Sequence, residues 1–189
     1  MKYPFLVLDT ETTGLGDDDE VLELGAVDPL GRKVFHCMVK PSRHTEWPEA
    51  QAVNKIAPED VQFALTGDRL SPAVADLLSG AGFVVGYNIR FDLRMLRQSG
   101  FVLPEGLRAC DVMDLVVERY GKRMSLGLAA ADLGIKAEGA HSSIEDARTT
   151  LLVMGALSAD RLGGIFEKAE EASSGDPEGK APEGKEDPS

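Results

Sequence analysis

The stretch Phe5-Leu-Val-Leu-Asp9-Thr-Glu11-Thr-Thr-Gly14-Leu15 decides the reading of this chain. An apolar run ends in an acid, and a second acid follows two positions on. Side chains alternate faces along a strand, so Asp9 and Glu11 point the same way. Two carboxylates side by side repel unless something positive sits between them. Hard oxygen ligands suit Mg²⁺ or Mn²⁺ better than zinc. Taken alone, the pair is equally a strand end whose acids meet water, so its meaning depends on acids elsewhere.

Two further stretches supply them. Gly86-Tyr-Asn88-Ile-Arg-Phe91-Asp92 follows an apolar run, Gly82 to Gly86, that reads as a strand. Asn88 is placed to cap the next helix, and Asp92 falls in its first turn, where the helix dipole favours an acid. If that strand lies parallel to the first, Asp92 reaches the same sheet end as Asp9, the end where open α/β sheets bind ligands. His141-Ser142-Ser143-Ile-Glu145-Asp146 has the pattern of a capping box, with Ser142 as cap and Glu145 three residues on. His141 and Asp146 then occupy the two positions that touch in a hydrophobic staple. An imidazole facing a carboxylate there suggests a role beyond stability. His36 and His44 have no acidic company in the sequence and read as ordinary surface residues.

Asp9, Glu11, Asp92 and Asp146 make four carboxylates with one histidine beside them. Converging without metal they would be strongly destabilising. With two divalent ions ~3.5–4 Å apart they form a template for phosphoryl chemistry. One ion would activate a water and the other would steady a leaving 3′ oxygen. A neutral His141 would take the water's proton.

The rest of the chain bounds this reading. Its 189 residues, 43% of them hydrophobic, suffice for one domain with a normal core. A net charge of −12 argues against holding nucleic acid by bulk electrostatics, though not against a site where metal ions supply the charge. Cys37 and Cys110 lack metal-ligand spacing and read as reduced residues of a cytoplasmic protein. No signal peptide and no membrane-spanning segment is expected. Expected strands are 4–9, 21–28, 33–39, 82–86 and 107–112, with the second and third joined as an antiparallel hairpin. Expected helices follow Pro58 and span 71–78, 90–98, 113–120, 125–133 and 143–157, with a loop through Trp47. Strands that alternate with helices after an early hairpin give an α/β fold with a mixed sheet. Residues 167–189 hold little to bury and carry net −5 of the charge, so the reading is a domain over 1–166 and an acidic disordered tail.

With all three motifs in order, the sequence resembles the DEDDh family of 3′–5′ exonucleases, which includes polymerase proofreading subunits, ribonuclease T and oligoribonuclease. Asp9-Thr-Glu11-Thr-Thr-Gly matches the first family motif, Asn88-Ile-Arg-Phe-Asp92 the second, and His141 with Asp146 the third. The resemblance covers about residues 4–157. It implies a ribonuclease H-like five-stranded mixed sheet flanked by helices, two Mg²⁺ or Mn²⁺ ions, and release of nucleoside 5′-monophosphates from a 3′ end. It implies that Asp9 bridges both ions, that Glu11 and Asp146 hold the ion that activates water, and that Asp92 serves the second. Thr10, Thr12, Leu15 and Asn88 would contact the terminal nucleotide, with Leu15 wedged against its base and Val53 to Ile56 forming a second apolar lip. Leu15 and Ile56 read equally well as core. Arg90, Arg94 and Arg97 share a helix face that would attract phosphates or simply meet water. The implied partner is a single-stranded or frayed 3′ end, DNA of the proofreading or repair kind ahead of RNA. A DNA polymerase or replication partner and an accessory, catalytically dispensable role are the alternatives. A haloacid-dehalogenase-like phosphatase fits poorly, since it needs an aspartate where Glu11 stands. Oligomeric state is open.

Overall fold

The structure, a computed structural model, describes residues 2–136 and 141–174, the last of these (160–174) as backbone only. Strands β1 (Leu6–Thr12), β2 (Val21–Val27) and β3 (Lys33–Met38) form an antiparallel meander. β4 (Val84–Gly86) and β5 (Ala109–Asp111) add on parallel to β1, in the order β3-β2-β1-β4-β5. This is the expected mixed five-stranded sheet. The tight Asp28-to-Arg32 turn makes the hairpin. Asp28 accepts the N–H groups of Leu30 and Arg32 at 2.9 and 3.0 Å, and Gly31 takes φ +73°.

Alternation along β1 splits the core. Leu8 packs with α3 (Gly67–Ser79) and α4 (Ile89–Gln98) on one face, through Val74, Leu78, Met95 and Leu96. Val7 packs on the other with α5 (Val112–Tyr120), α6 (Leu126–Asp132) and α7 (Ser143–Ser174), through Val116, Ala130, Ala147 and Val153. A helix over Pro48–Asn54 (α1) takes the last two residues of the expected 41–49 loop and the five that follow, and a turn at Pro58–Val61 (α2) comes next. Pro48 stands at the first helical position, a start signal that the sequence reading gave only to Pro58. Trp47 is buried and donates its indole N–H to Ile56 O at 2.8 Å, which fixes this lobe.

The chain divides into two units after Leu157. The backbone of α7 nonetheless stays helical to Ser174, beyond the Leu157 end read from the sequence. Residues 167–174, expected within the disordered tail, are therefore helical. Alternating Ala, Glu and Lys are strong helix formers even with nothing to bury. The remainder of the expected tail, 175–189, lies outside the described residues. Among the described residues no helix is long and apolar enough to cross a membrane.

Candidate active site

β1 outruns its parallel neighbour. Only Leu6 and Val7 pair with β4, so Asp9 to Thr12 run on beyond the last β1–β4 pair. The expected strand stopped at Asp9, whereas β1 continues to Thr12 and carries both acids within it. Asp9 and Glu11 share the parity of Val7 and so face α7, while Thr10 shares the parity of Leu8 and faces α4. Thr10 acts on this directly. Its backbone N–H and its hydroxyl both donate to Asp92 Oδ1, at 3.0 and 2.8 Å. Asp92, 3% exposed, is thus fixed beside Asp9 at the predicted sheet end.

α7 brings the third motif. Asp9 pairs across the ladder with Gly25 of β2, and the first turn of α7 rests on that glycine. A Cβ on Gly25 would lie 2.6 Å from Ser143 Oγ and 2.8 Å from the Ser143 carbonyl carbon. Only a glycine admits the helix this close. His141 has φ +71°, outside the range most side chains favour, and its backbone N–H donates to Asp146 Oδ2 at 3.3 Å. His141 thus meets Asp146 through its backbone, where the sequence reading sets the imidazole against the carboxylate. Glu145, expected to close a capping box, pairs with Arg148 instead.

Ligand atoms of Glu11, His141 and Asp146 lie within 4.8 Å of one another. The acids are crowded enough to resist ionising together. Burial first, then the charges of Asp92, Asp146, Glu11 and Glu23, push Asp9 well above the usual carboxylate range. Burial and the same neighbours push Glu11 up to about 8. Burial raises Asp92 to about 7 against the pull of the Thr10 hydrogen bonds, and it raises Asp146. Oxygen donors, an imidazole and unrelieved mutual repulsion are the donor set of a divalent cation site. The residues present fit such a group.

Other sequence expectations resolve one by one. Leu15 is 77% exposed, so it is not core, whereas Ile56 is buried with Trp47, Leu22 and Val61. The apolar lip opposite Leu15 is Val53 and Ala50, across a cleft of about 570 Å³ that Glu11, Thr12 and Asn54 also line. The Thr10 and Thr12 hydroxyls are committed within the protein, Thr12 donating to Gly14 O at 2.7 Å. Asn88 does not cap α4 with its side chain. It sits at φ +63°, its N–H donates to Asp111 Oδ1 at 2.8 Å, and its side-chain oxygen accepts from Arg123 at 3.1 Å. Arg94, its side chain 39% exposed, donates to Leu15 O, Gly16 O and Asp17, and Arg97 donates to Leu93 O. Neither His36 nor His44 lacks acidic company. His36 Nε2 lies 2.6 Å from Glu23 Oε1, and His44 Nδ1 lies 3.2 Å from Glu20 Oε2.

Glu23 escaped the sequence reading. It sits opposite Glu11 in the β1–β2 register, is buried, and accepts the Ser143 N–H at 3.3 Å while holding His36. The signal was there: a lone glutamate inside Val21-Leu-Glu-Leu-Gly-Ala-Val, a strand otherwise apolar throughout. Asn54 escaped too. Its side chain ties α1 to β1 by donating to Thr12 O at 3.1 Å and accepting the Ile56 N–H.

Comparison with known proteins places this geometry. The family model described as "Exonuclease" matches residues 6–154. An uncharacterized exonuclease, CP81, of Escherichia phage 186 is 35% identical over 80% of this chain and 87% of its own. RNA exonuclease 4 of Gibberella zeae is 29% identical over 79% of this chain and 47% of its own. Among solved structures, E. coli exonuclease I in complex with a dA16 oligonucleotide shares the fold, with a TM-score of 0.70 and 20% identity over 87% of this chain and 42% of that one. The chain thus spans less than half the length of these last two relatives. Its sheet is of the ribonuclease H-like kind, and with the family model covering most of its compact body the chain belongs to the DEDD-type 3′–5′ exonuclease family, a family of nucleic-acid hydrolases.

Proposed function

We propose that this chain is a two-metal-ion exonuclease that removes nucleoside 5′-monophosphates from the 3′ end of single-stranded or frayed nucleic acid, with DNA as its first substrate. The observation that carries the reading is the meeting of Asp9, Glu11, Asp92, Asp146 and His141 at one sheet end. Asp9, Glu11 and Asp146 would hold one Mg²⁺ or Mn²⁺, and Asp9 with Asp92 would serve a second. Bound ions would supply Lewis acidity at the scissile phosphate and compensate the charge of the leaving oxygen.

The chain's own residues do the remaining work. His141 is exposed beside Asp146 and takes the proton of the attacking water at a neutral ring nitrogen. Thr10 keeps Asp92 aimed at the site. Leu15 and Val53, exposed on opposite sides of the cleft beside Glu11, receive the terminal base and exclude water from the reacting end.

RNA is the second reading, favoured by the relative named an RNA exonuclease. A competition assay separates the two. Equal amounts of DNA and RNA of one sequence, distinguishably 5′-labelled, are mixed with the enzyme and Mn²⁺. Faster shortening of the DNA supports the first reading and faster shortening of the RNA the second. Survival of both would remove the proposal.

A further inference from the structure

The wall that carries Leu15 is a loop that should not hold its shape unaided. Residues 13–20 contain two glycines and three consecutive aspartates, and ordering each residue costs about 1–2 kcal/mol. Within the loop, Asp19 accepts the Thr13 hydroxyl and the Gly16 N–H, both at 2.7 Å. The far end of the loop is held by the Ser42–His44 segment, through Asp18 O and the Glu20 carboxylate, and the Leu15–Asp17 tip is held from α4. Arg94 Nη2 donates to Leu15 O at 3.1 Å, and Nη1 donates to Gly16 O at 3.2 Å and to Asp17 Oδ1 at 3.0 Å. Gln98, one turn on, donates to Gly16 O and Asp19 O and accepts from Arg94. The Arg94 guanidinium also lies over the Phe91 ring, 5.4 Å from its centre, a cation–π approach from the same helix.

We infer that Arg94 is a positioning residue for the terminal-nucleotide cleft: its guanidinium fork holds the Leu15 loop at a set distance from Asp92, two residues earlier on the same helix. The inference rests on the exonuclease reading above. One rigid helix then sets both the acid that faces the reacting phosphate and the apolar wall that meets the base. The fork matters because a single guanidinium reaches two successive carbonyls and a carboxylate at once, which an ammonium on a flexible stem cannot do. Arg94 does not touch substrate. It acts through Leu15.

The test is a double-mutant cycle in the full chain on a 5′-labelled single-stranded oligonucleotide, with kcat and KM measured separately. Arg94→Gln and Leu15→Ala are each expected to raise KM about ten-fold with little change in kcat, and the double variant is expected to match either single one. Arg94→Lys, which keeps the charge but not the fork, is expected to fall close to Arg94→Gln. Four results would overturn the inference: additive effects in the double variant, a fall in kcat at constant KM, wild-type behaviour of Arg94→Gln, or wild-type behaviour of Arg94→Lys, which would mean that charge toward phosphate is what counts. Should Arg94→Gln fail to fold, Arg94→Lys combined with Leu15→Ala answers the same question. A wild-type protein that shortens no oligonucleotide would defeat the exonuclease reading itself, a result distinct from all of these.

Discussion

Asp92 Oδ1 accepts two hydrogen bonds from Thr10, one from its backbone N–H at 3.0 Å and one from its hydroxyl at 2.8 Å. The residue between the two acids of the first motif thus grips the acid of the second. Removing the hydroxyl leaves a buried carboxylate with one donor fewer. Hydrogen bonds to charged groups contribute about 1.5–3 kcal/mol. Thr10→Val is therefore expected to lower kcat by roughly ten-fold or more, while Thr10→Ser keeps most of it. Steady-state rates on a labelled oligonucleotide decide the point, and equal rates in both variants would remove Thr10 from the account.

Gly25 is the seat on which α7 rests. A methyl group there would meet Ser143 backbone at 2.8 Å, and backbone cannot swing aside as a side-chain tip can. Gly25→Ala should push away the turn that bears His141 and Asp146. A misplacement of about 1 Å at a reacting centre costs on the order of 100-fold in rate, and overpacking costs about 1–3 kcal/mol of stability. Activity and a thermal melt, measured together, should show both losses. A variant that stays fully active would mean that α7 tolerates the shift.

Function and stability should trade off at Asp9. Its carboxyl is held well above the usual range by burial and by Asp92, Asp146 and Glu11, and Glu11 is pushed up to about 8. A carboxylate with a raised folded-state pKa penalises the folded state as pH climbs above its unfolded value, and the penalty grows until the folded pKa is passed. In chelator, the protein should therefore melt lower at pH 8 than at pH 6. Asp9→Asn should raise the melting temperature at pH 8, by roughly 2–4 °C per kcal/mol of repulsion relieved, and abolish cleavage. Mn²⁺ should stabilise the wild type more than the variant. A lower melting temperature for the variant in chelator would contradict the crowding described here.

Glu20 has the opposite sign. Burial alone would push it up, but the N–H groups of Ser42 and Arg43, both at 2.8 Å, together with His44, outweigh burial and hold it below its ordinary value of 4.5. A lowered folded pKa gives stability that is present above 4.5 and is lost as pH falls through the folded value. Glu20→Gln should cost about 1.5–3 kcal/mol at pH 7 and flatten the decline of stability between pH 5 and pH 3, roughly the range in which an acid of this kind titrates. Denaturant melts across that range test it. An unchanged slope would assign the acid sensitivity elsewhere.

The sheet was legible because its strands announce themselves: Phe5 to Leu8, Val21 to Val27 and Phe83 to Val85 are apolar runs bounded by turns. Asp9, Glu11, Asp92, His141 and Asp146 were singled out by three motifs in order, and the structure brings ligand atoms of Glu11, His141 and Asp146 within 4.8 Å of one another. What escaped was tertiary. Glu23 sits on a strand whose register against β1 sets its neighbour, and register is not written in either strand alone. Asn88 itself is left-handed at the start of α4 and its side chain turns to Arg123, which a capping rule does not anticipate. Arg94 looked like a solvated or phosphate-attracting face because its partners are carbonyls of a loop some 80 residues earlier in the chain, and carbonyls leave no trace in side-chain chemistry.

The measurement that tests the central claim most directly is a time course on a 5′-labelled single-stranded oligonucleotide with added Mn²⁺, run beside the same reaction in excess chelator and beside Asp9→Asn. The account predicts a ladder that shortens from the 3′ end and releases nucleoside 5′-monophosphates, in the wild type with metal and in neither control. Shortening that persists in chelator or in Asp9→Asn, or label released at once from the 5′ end, would contradict a metal-dependent 3′–5′ centre built on these four carboxylates.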